Sequence, residues 1–330
     1  MNSFGRIFRI HIFGESHGEC VGISIDGCPA GLSLNVDDFT TDIERRKGGS
    51  KGTTPRKEED APQLKSGVFN GKTTGAPLTV LFDNSNTRSS DYEKQRAIPR
   101  PGHADFVAGK KFGGFEDFRG SGHFSGRLTL CLVAAGIVAK KILIDTKIES
   151  TIVEIGGEAD IEKGLQKAID AKDSVGGIIE CRVTGLPVGL GEPFFDSAES
   201  LISHLVFAIP AVRGIEFGTG FAAAKMFGSH HNDAIMNKEG KTNTNHAGGI
   251  VGGLTNGNEL VFRIAIKPTS STPLEQQSLN LETNTLESFS VKGRHDLCIA
   301  LRVPVVLEAV TAVVLADLLL LEQRIPRIIS

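Results

Sequence analysis

Apolar and polar residues alternate in several short stretches of the chain. The alternation is clear over residues 7–13 and again over 21–25, with a glycine-rich connection at 14–18 between the two. Because successive side chains of a strand point to opposite faces, the pattern predicts two strands that each bury one face. The same reasoning predicts further strands at residues 78–82, 178–183 and 260–266.

Three segments have the apolar spacing of helices. Asn35 can cap a helix whose apolar face begins at Val36, and the glycine pair at 48–49 should end that helix. Residues 126–144 are apolar nearly all round, which predicts a helix buried on every side. Residues 304–322 begin with a proline that suits the first turn of a helix.

The stretch 303–321 is the most membrane-like part of the sequence. It contains Glu308 and Asp317, each of which would cost roughly 2.5–3.5 kcal/mol at the centre of a helix in lipid. It therefore predicts a helix buried inside a soluble protein, with no membrane partner. Residues 1–10 lack the continuous apolar run of a secretory signal, and the five cysteines form no C-x-x-C pair. We therefore expect a cytoplasmic protein with reduced thiols.

Two turns of the same type lie nearly half the chain apart. Residues 27–32 read G-C-P-A-G-L and residues 185–190 read G-L-P-V-G-L, and each turn follows a predicted strand. We call them the first and second G-x-P-x-G turns. Their spacing predicts one domain over 1–330, built from related halves of roughly 1–160 and 161–330 around shared central helices. Since the strands are not each followed by a helix, the fold class is α+β rather than a Rossmann fold or a barrel.

Composition narrows the class of ligand. The net charge of −3 over 330 residues argues against a globally basic nucleic-acid binder, so no nucleic acid is expected as a partner. The hydrophobic content of 40% argues against disorder. The 39 glycines follow no period. They indicate tight turns and close approach of the backbone to a bound molecule.

The segment Gly14–Gly18 matches G-x-S-x-G, the nucleophile elbow of serine hydrolases. That elbow needs a strand, a sharp turn and then a helix, whereas here a second strand is predicted to follow. A serine hydrolase that uses Ser16 stays open as an alternative function. What remains in either case is a glycine-flanked Ser16 and His17 at the end of a strand.

Six cations lie within residues 45–57, at the end of a predicted helix and in the glycine-rich loop after it. They are Arg45, Arg46, Lys47, Lys51, Arg56 and Lys57. Cations at a helix C-terminus also complement the helix dipole, so a solvated surface is the simpler explanation. The loop amides and hydroxyls nevertheless favour capture of phosphate or carboxylate. A polyanion-binding module formed by residues 45–57 is therefore a second alternative.

Further loops combine glycine with arginine, histidine or hydroxyl groups. They are residues 100–105, 120–127, 267–272 and 293–296. Together with the loops at 14–18 and 45–57 they predict a cavity for one or two highly anionic small ligands. The adjacent His230 and His231 are poorly placed to ligate one ion together, so no metal is expected.

The same motifs resemble those of the chorismate synthase family. The matching segments are FGESHG (13–18), DGCPAGL (26–32), DIERRKGG (42–49), SGVFNGKTTGAPL (66–78), RPGHADF (100–106), NHAGGIVGGLTNG (245–257), KPTSS (267–271) and GRHD (293–296). They follow the order of the family over nearly the whole chain. The resemblance implies a layered α+β sandwich with central helices between antiparallel sheets, usually assembled as a homotetramer.

The resemblance also implies an activity. Family members are lyases of the shikimate pathway that convert 5-enolpyruvylshikimate 3-phosphate to chorismate by 1,4-anti elimination of phosphate. They require reduced FMN although the reaction has no net redox change. NADPH would serve only indirectly, to reduce the flavin. Because 330 residues leave little room for an added reductase module, we expect a separate flavin reductase to supply the reduced cofactor.

Site residues follow from the resemblance position by position. His17 matches the histidine that donates a proton near the departing phosphate, and His103 matches the one that steadies the anionic reduced flavin. Asp296 matches the carboxylate that assists proton removal. The residues implied for substrate binding are Ser16, Arg46, Lys51, Arg100, Ser125, Arg127 and Arg294. Those implied for flavin binding are His123, Phe124, Ser125, Ala211, Gly252, Lys267, Pro268, Thr269, Ser270, Ser271 and Arg294.

Three positions depart from the family pattern. Lys51 stands where the family has an arginine, which keeps the charge but loses the bidentate fork. His123 replaces an arginine that contacts flavin, and its charge depends on pH. Pro210-Ala211 stands where the family has an Asn-Ala pair, which removes a side-chain donor.

Overall fold

The structure is a computed structural model that describes residues 1–55, 58–85, 96–291 and 295–329. The helices are α1 (Thr40–Arg46), α2 (Asp105–Phe112), α3 (Thr129–Ile142), α4 (Ile161–Ala171), α5 (Ala198–Val206), α6 (Gly228–His231) and α7 (Pro304–Leu321). Short 3-10 helices include Val36–Phe39, Arg119–Phe124, Gly126–Leu128 and Ile299–Arg302.

The strands form two main antiparallel sheets and three short hairpins. In chain order they are β1 (Ser3–Phe4), β2 (Arg9–Gly14), β3 (Cys20–Asp26), β4 (Gln63–Ser66), β5 (Val68–Phe69), β6 (Lys72–Thr73), β7 (Leu78–Asp83), β8 (Lys147–Ile155), β9 (Gly177–Thr184), β10 (Val212–Phe217), β11 (Ile250–Val251), β12 (Leu254–Thr255), β13 (Leu260–Ile266), β14 (Gln276–Asn280) and β15 (Thr285–Phe289). The five-stranded sheet has the order β1-β2-β3-β7-β4, and the four-stranded sheet has the order β10-β13-β9-β8.

The predicted strands are confirmed, and their alternation explains why they form sheets. In β2, Ile10 is buried while Arg9 and His11 are exposed, and Ile10 pairs in register with Ile25 of β3. β13 has the predicted bounds and is the second strand of its sheet, paired with both β9 and β10. One face of each sheet is therefore apolar and must be covered.

Helices α3 and α7 cover those two faces and pack against each other. α3 contacts β2 and β3, whereas α7 contacts β8 and β9. The two helices approach closely at Gly136, where an added Cβ would lie 2.2 Å from the Cβ of Ala309. The layers therefore run sheet, helix, helix, sheet, which confirms the predicted α+β sandwich.

Helix bounds differ slightly from the prediction. The segment expected at 126–144 begins with a 3-10 turn, and its α-helix, α3, ends at Ile142. Asn35 does form the predicted cap, since its side chain accepts a hydrogen bond from the Asp37 amide. A 3-10 turn follows this cap, and α1 ends at Arg46, so the cations after it lie in the loop.

Among the described residues, two helices are long and apolar enough to cross a membrane by length and composition, α7 and the helical run Arg119–Ile142. Most residues of both segments are buried inside the protein, including 89% of the residues of α7. Both acidic residues of α7 have partners there. Glu308 accepts hydrogen bonds from Arg45 at 2.6 and 2.7 Å and from Lys140 at 2.9 Å. Asp317 accepts from three consecutive backbone amides just before β2, at 2.7–2.9 Å. The predicted buried helix is confirmed.

The two G-x-P-x-G turns are held by the same hydrogen bonds. In the first, the hydroxyl of Thr73 accepts from the amide of Leu32 at 2.9 Å and donates to the carbonyl of the turn's proline. In the second, Thr255 makes the same two bonds, to the Leu190 amide at 2.9 Å and to the proline carbonyl. Each threonine comes from a short hairpin that precedes an inner strand of a main sheet, β7 after Thr73 and β13 after Thr255. This correspondence supports two related halves, and the division near residue 160 stays a prediction.

Candidate active site

Side chains from both halves line one cavity of about 690 Å³. Fourteen of the predicted site residues contribute to it. They are Ser16, Arg46, Arg100, His103, His123, Phe124, Ser125, Arg127, Ala211, Lys267, Thr269, Ser270, Ser271 and Asp296. His17, Lys51, Gly252 and Pro268 are not among its lining residues, and Arg294 lies outside the described residues.

One side of the cavity is formed by three arginines and one buried aspartate, and we call it the arginine wall (Arg46, Arg127, Arg302 and Asp60). Asp60 accepts a hydrogen bond from Arg127 Nη1 at 2.8 Å and lies 3.6 Å from Arg46 Nη1. Both guanidinium groups and the carboxylate are nearly inaccessible to solvent. Two cations thus share a single carboxylate, which leaves net positive charge in a desolvated pocket.

Arg46 is positioned by α1 and by the start of α3. Its other donors go to neutral groups, the Thr129 hydroxyl at 2.9 Å and the carbonyls of Gly126 and Arg127 at 3.1 Å. Burial, reinforced by Arg302 and Arg127, lowers the pKa of Arg46 to about 9, and Asp60 opposes the shift. The guanidinium is still protonated at neutral pH, but in a site that favours an incoming anion.

Asp296 lies where the arginine wall meets the loop after β13. Arg302 donates to both of its carboxylate oxygens, at 2.9 and 3.3 Å, and the Thr54 amide donates to one of them at 2.9 Å. Arg302 also donates to the carbonyl of Arg46 at 2.9 Å. Arg302 and Asp60 were not among the predicted residues. Their contacts bridge segments far apart in sequence, so no local motif marks them.

A second group of side chains at the cavity is centred on Arg100, and we call it the histidine wall (Arg100, His103, Asp105, Ser121 and Ser271); all of them except Asp105 line the cavity. Arg100 makes a two-pronged bond to Asp105 at 2.7 and 2.8 Å, and it also donates to the hydroxyls of Ser271 at 3.0 Å and Ser121 at 2.9 Å. His103 Nδ1 lies 2.6 Å from Asp105 Oδ1. Asp105 therefore compensates the charge of Arg100, and each of the three guanidinium nitrogens donates a hydrogen bond.

Asp105, at the start of α2, is the acidic member of that wall. Burial alone would raise the pKa of its carboxyl, but hydrogen bonds from Arg100 and His103 outweigh burial and hold that pKa well below its usual range. The carboxylate is consequently ionised throughout the physiological range. It keeps Arg100 and His103 in one orientation.

The loop before α3 brings the two walls together. Gly120, Ser121 and Gly122 all have left-handed backbones, with φ of 58°, 69° and 50°. A Cβ at Gly120 would lie 2.5 Å from His17 Nε2, so only glycine admits the histidine ring at that position. His17 thus lies behind Gly120, which itself lines the cavity. Ser16 lines the cavity directly, and its amide donates to the Gly122 carbonyl at 3.1 Å.

The segment after β13 provides hydroxyl groups along one edge of the cavity. Lys267 Nζ donates to Ser270 Oγ at 2.9 Å, and Ser270 Oγ donates to the Gly102 carbonyl at 2.7 Å. Thr269 Oγ1 donates to the carbonyl of Asp296 at 2.9 Å. The predicted polar loop is therefore ordered against both the arginine-bearing turn at 100–102 and the catalytic candidate Asp296.

An apolar floor completes the cavity between the two walls. It consists of Ile10, Ile12, Leu132, Leu205, Ile209, Val303 and Val306. A cavity of this volume lies in the range of small-molecule and cofactor sites, which combine apolar surface with a few placed polar groups. Arg46 and Arg127, whose charge Asp60 only partly compensates, suit an anionic ligand. The apolar floor suits a flat ring system bound next to that anion.

Comparison with known proteins identifies the family. The sequence model described as chorismate synthase matches residues 8–320 of this chain. The chain belongs to the chorismate synthase family. Members are lyases of the shikimate pathway, which act in aromatic amino-acid biosynthesis, and the predicted enzyme class is confirmed.

Individual chorismate synthases match over their full length. The curated enzyme of Chitinophaga pinensis is 69% identical over 329 residues, which covers 99% of this chain and 99% of that protein. The enzyme of Dehalococcoides mccartyi is 45% identical and covers 100% of this chain and 99% of its own. A solved crystal structure of chorismate synthase superimposes with a TM-score of 0.75 at 27% identity, covering 97% of this chain and 93% of that one.

At two of the positions that depart from the chorismate synthase pattern, the structure shows defined local contacts. His123 Nδ1 lies 2.8 Å from the Gly14 carbonyl and therefore donates to it, while Nε2 lies 3.1 Å from the Asn2 side-chain oxygen. Ala211 has a left-handed backbone with φ of 75°, and its carbonyl accepts from the Lys267 amide at 2.9 Å. His123 and Ala211 both line the cavity.

Lys51 and Gly252 lie away from the cavity of this chorismate synthase homologue. Lys51 Nζ donates to Gln166 at 3.1 Å and lies 3.5 Å from Glu162, both on α4. Gly252 lies in the turn between β11 and β12. The carbonyl of Pro268 accepts a hydrogen bond from Lys267 Nζ at 3.2 Å. Their predicted binding roles stay predictions.

The structure weighs against both alternative functions considered for the sequence. Ser16 lies in a strand–turn–strand connection, so the strand–turn–helix context of a nucleophile elbow is missing there. In the basic run, Arg45 is paired with Glu308 and Asp42, and Lys47 with Glu44. Arg56 and Lys57 lie outside the described residues.

Within the described ranges, no group of three or more His, Cys, Asp or Glu side chains could hold a metal ion.

Proposed function

We propose that the chain converts 5-enolpyruvylshikimate 3-phosphate to chorismate and phosphate by 1,4-anti elimination, and that it requires reduced FMN without net redox change. The observation that carries the proposal is the arginine wall, where Arg46 and Arg127 share the carboxylate of Asp60. The substrate has a phosphate and two carboxylates. Such an anion needs several cations that converge in one desolvated pocket.

Binding of the substrate is assigned to the arginine wall and its neighbours. Arg46 and Arg127 face the anion, and Ser16 and Ser125 provide hydroxyl groups beside them. Ser125 Oγ also accepts from the Arg127 amide at 3.3 Å and so caps the helical turn before α3. Arg100 stays a predicted substrate contact from the family resemblance, because its guanidinium nitrogens already donate to Asp105, Ser271 and Ser121. Lys51 and Arg294 stay predicted substrate contacts from the family resemblance alone.

The residues present also fit a reduced flavin. The apolar floor suits the flat ring system, and the hydroxyls of Thr269, Ser270 and Ser271 with Lys267 suit its polar edge and chain. His103 and Arg100 are placed to steady an anionic ring. His123, Phe124, Ser125 and Ala211 line the same space. When bound, reduced FMN supplies the electron density that weakens the allylic C–O bond of the substrate.

The proton steps are assigned to three side chains of this protein. His17, packed beneath Gly120, donates a proton near the departing phosphate. His103, oriented by Asp105, maintains charge balance on the flavin side of the cavity. Asp296, oriented by Arg302 and the Thr54 amide, assists removal of the proton that leaves the substrate ring. Each assignment is a proposal that combines family position with the contacts described above.

The decisive experiment is anaerobic. Purified protein is mixed with reduced FMN and 5-enolpyruvylshikimate 3-phosphate, and chorismate absorbance and free phosphate are followed together. We expect both products in equal amounts, and no turnover with oxidised FMN. Turnover that is independent of flavin, or phosphate release without chorismate, would contradict the proposal.

We also propose an assembly of several copies of the chain, a location in the cell and a second protein partner, each on separate grounds. Several phenylalanines are fully on the surface, and their burial by other copies would explain them in a homotetramer; they are Phe115, Phe194, Phe195, Phe221 and Phe227. Light scattering after size exclusion should give four times 35.2 kDa. We also propose a cytoplasmic location and a separate flavin reductase, with NADPH acting only through it. Purified protein with oxidised FMN should therefore not consume NADPH.

A further inference from the structure

Ser121 has a backbone conformation that is unusual for its residue type. Its φ and ψ are 69° and 11°, in the left-handed region, between two left-handed glycines. Serine rarely adopts that region, because its Cβ crowds the backbone there. Such residues persist only where the surrounding structure holds them, and they concentrate at functional sites. The side chain of Ser121 should therefore have a role that glycine could not fill.

The hydroxyl of Ser121 bridges two residues of the histidine wall. Its Oγ lies 2.9 Å from Arg100 Nη2 and 3.3 Å from His103 Nε2. A guanidinium can only donate hydrogen bonds, so Ser121 accepts from Arg100. The hydroxyl proton then remains available to donate to His103 Nε2.

The other ring nitrogen of His103 determines whether Nε2 can accept that proton. His103 Nδ1 lies 2.6 Å from Asp105 Oδ1, which is nearer than Arg100 Nη2 at 3.0 Å. The Asp105 carboxylate is ionised and can only accept, so Nδ1 carries the hydrogen. In the neutral imidazole Nε2 is then an acceptor, as the Ser121 hydroxyl requires.

The result is a closed ring of four side chains. Arg100 donates to Ser121 and to Asp105, Ser121 donates to His103, and His103 donates to Asp105. We propose that Ser121 is a positioning residue that closes this ring. It fixes the plane of the His103 ring and the nitrogen that carries its proton. The strained backbone is required because it directs the Cβ of Ser121 toward both partners.

Two substitutions separate the hydroxyl from the backbone. Ser121→Ala removes the hydroxyl and keeps the strained Cβ, whereas Ser121→Gly removes both and relieves the strain. We expect kcat to fall about tenfold in both variants, with KM changed by less than about threefold. The melting temperature should instead differ between them, with Ser121→Gly at or above the wild-type value. A loss of kcat in only one of the two, or in neither, would overturn the proposal.

A spectroscopic measurement tests the same point without turnover. Nitrogen-15 chemical shifts of the His103 imidazole report which ring nitrogen carries the proton. In the wild-type protein Nδ1 should be protonated and Nε2 bare, and Ser121→Ala should change the Nε2 shift. An unchanged Nε2 signal would overturn the proposal. A suitable control is Ser278→Ala, because Ser278 Oγ donates to the Pro99 carbonyl next to Arg100 and touches neither ring nitrogen.

The kinetic arm rests on the proposed role of His103 in turnover, and a double variant separates the two ideas. If Ser121 acts through His103, Ser121→Ala should cost nothing further in a His103→Ala background. Full activity of His103→Ala would contradict the proposed function, while the nitrogen-15 result would still decide the role of Ser121. An additive loss in the double variant would show that Ser121 acts independently of His103.

Discussion

The two walls of the cavity are each built around buried arginine, but they compensate its charge differently. On the histidine wall, Arg100 meets a carboxylate in a two-pronged bond and two hydroxyls besides. On the arginine wall, Arg46 and Arg127 share Asp60, and the other donors of Arg46 go to uncharged groups. The first arrangement is electrically balanced and rigid. The second retains positive charge that a ligand can neutralise.

This difference separates the tasks of orientation and binding. A matched arginine gains little from a further anion, because its donors are already satisfied. An under-compensated pair in low dielectric attracts an anion strongly. We therefore expect substitutions on the arginine wall to impair substrate capture, and substitutions on the histidine wall to impair stability and alignment.

The largest effect is expected for Arg127→Met. It removes a substrate cation and leaves Asp60 buried without its hydrogen-bonded partner, a loss of about 3–5 kcal/mol. We expect kcat/KM to fall by roughly 10²–10³-fold or more, as measured by steady-state kinetics with reduced FMN. The control is Arg182→Met, which removes a half-exposed arginine paired with Glu180 and Glu259 outside the cavity. Equal losses in the two variants would show that the loss does not arise from the arginine wall.

The next largest effect is expected for Asp105→Asn, and it should appear in stability. Leaving Arg100 without its carboxylate should lower the free energy of unfolding by about 3 kcal/mol at neutral pH. Because the folded-state pKa of Asp105 is depressed, its contribution is present above the unfolded-state pKa of about 3.9 and is lost as pH falls further. Urea unfolding between pH 2 and 7 should therefore show a shallower acid decline in the variant.

The matched control for that experiment is Asp145→Asn, which changes an exposed aspartate. Its pH profile should follow the wild type. If Asp105→Asn has the wild-type slope in acid, Asp105 does not compensate Arg100 in the way described. The histidine wall would then need another source of balance.

A smaller effect of opposite sign is expected for Asp60→Asn. The substitution keeps an acceptor for Arg127 but removes the negative charge of the carboxylate that the two arginines share. Inorganic phosphate should bind about tenfold more tightly, a gain of about 1.4 kcal/mol, when measured by calorimetry. Turnover should fall because the two guanidiniums lose their common anchor. Weaker phosphate binding would mean that Asp60 does not limit the positive charge available to the anion. Its carboxylate would instead hold the two guanidinium groups in the positions that bind phosphate.

The smallest effect is expected for Lys51→Ala. The family resemblance implies a substrate contact, whereas the side chain bonds Gln166 and lies near Glu162 on α4. We expect KM for the substrate to change by less than about twofold, since exposed ion pairs contribute about 0–1 kcal/mol. A tenfold rise in KM would place Lys51 with the arginine wall after all.

Much of the fold could be predicted because burial leaves a local signature. The alternation of Leu260–Ile266 gave the bounds of β13 without error, and Pro304 marked the first residue of α7. The pattern of Glu308 and Asp317 indicated a soluble core helix but could not identify partners. Those partners come from Arg45, Lys140 and the amides before β2, which lie far away in sequence.

The site was predictable where turn chemistry marks it and not elsewhere. Glycines beside Arg100, His103 and Ser125 indicated the loops that line the cavity. Asp60 had no such signal, and Ser121 lay in the marked loop 120–127 without being chosen as a site residue, because the importance of both depends on partners brought in by the fold. Lys51 shows the converse case, a position that the family motif marks but that does not line the cavity. It is a chain neighbour of Arg46, but the loop after α1 turns its side chain toward α4.

The carboxylate of Asp317 has a consequence for how the protein is made. It accepts hydrogen bonds from the amides of Arg6, Ile7 and Phe8, and residues 327–329 pair with Ala30 in the first G-x-P-x-G turn. The sheet that contains β2 and β3 thus obtains these partners only after residues 317–329 have been synthesised. Contacts of such long sequence separation slow folding and leave the early sheet exposed during synthesis. The native sandwich can therefore be completed only after residues 317–329 have left the ribosome.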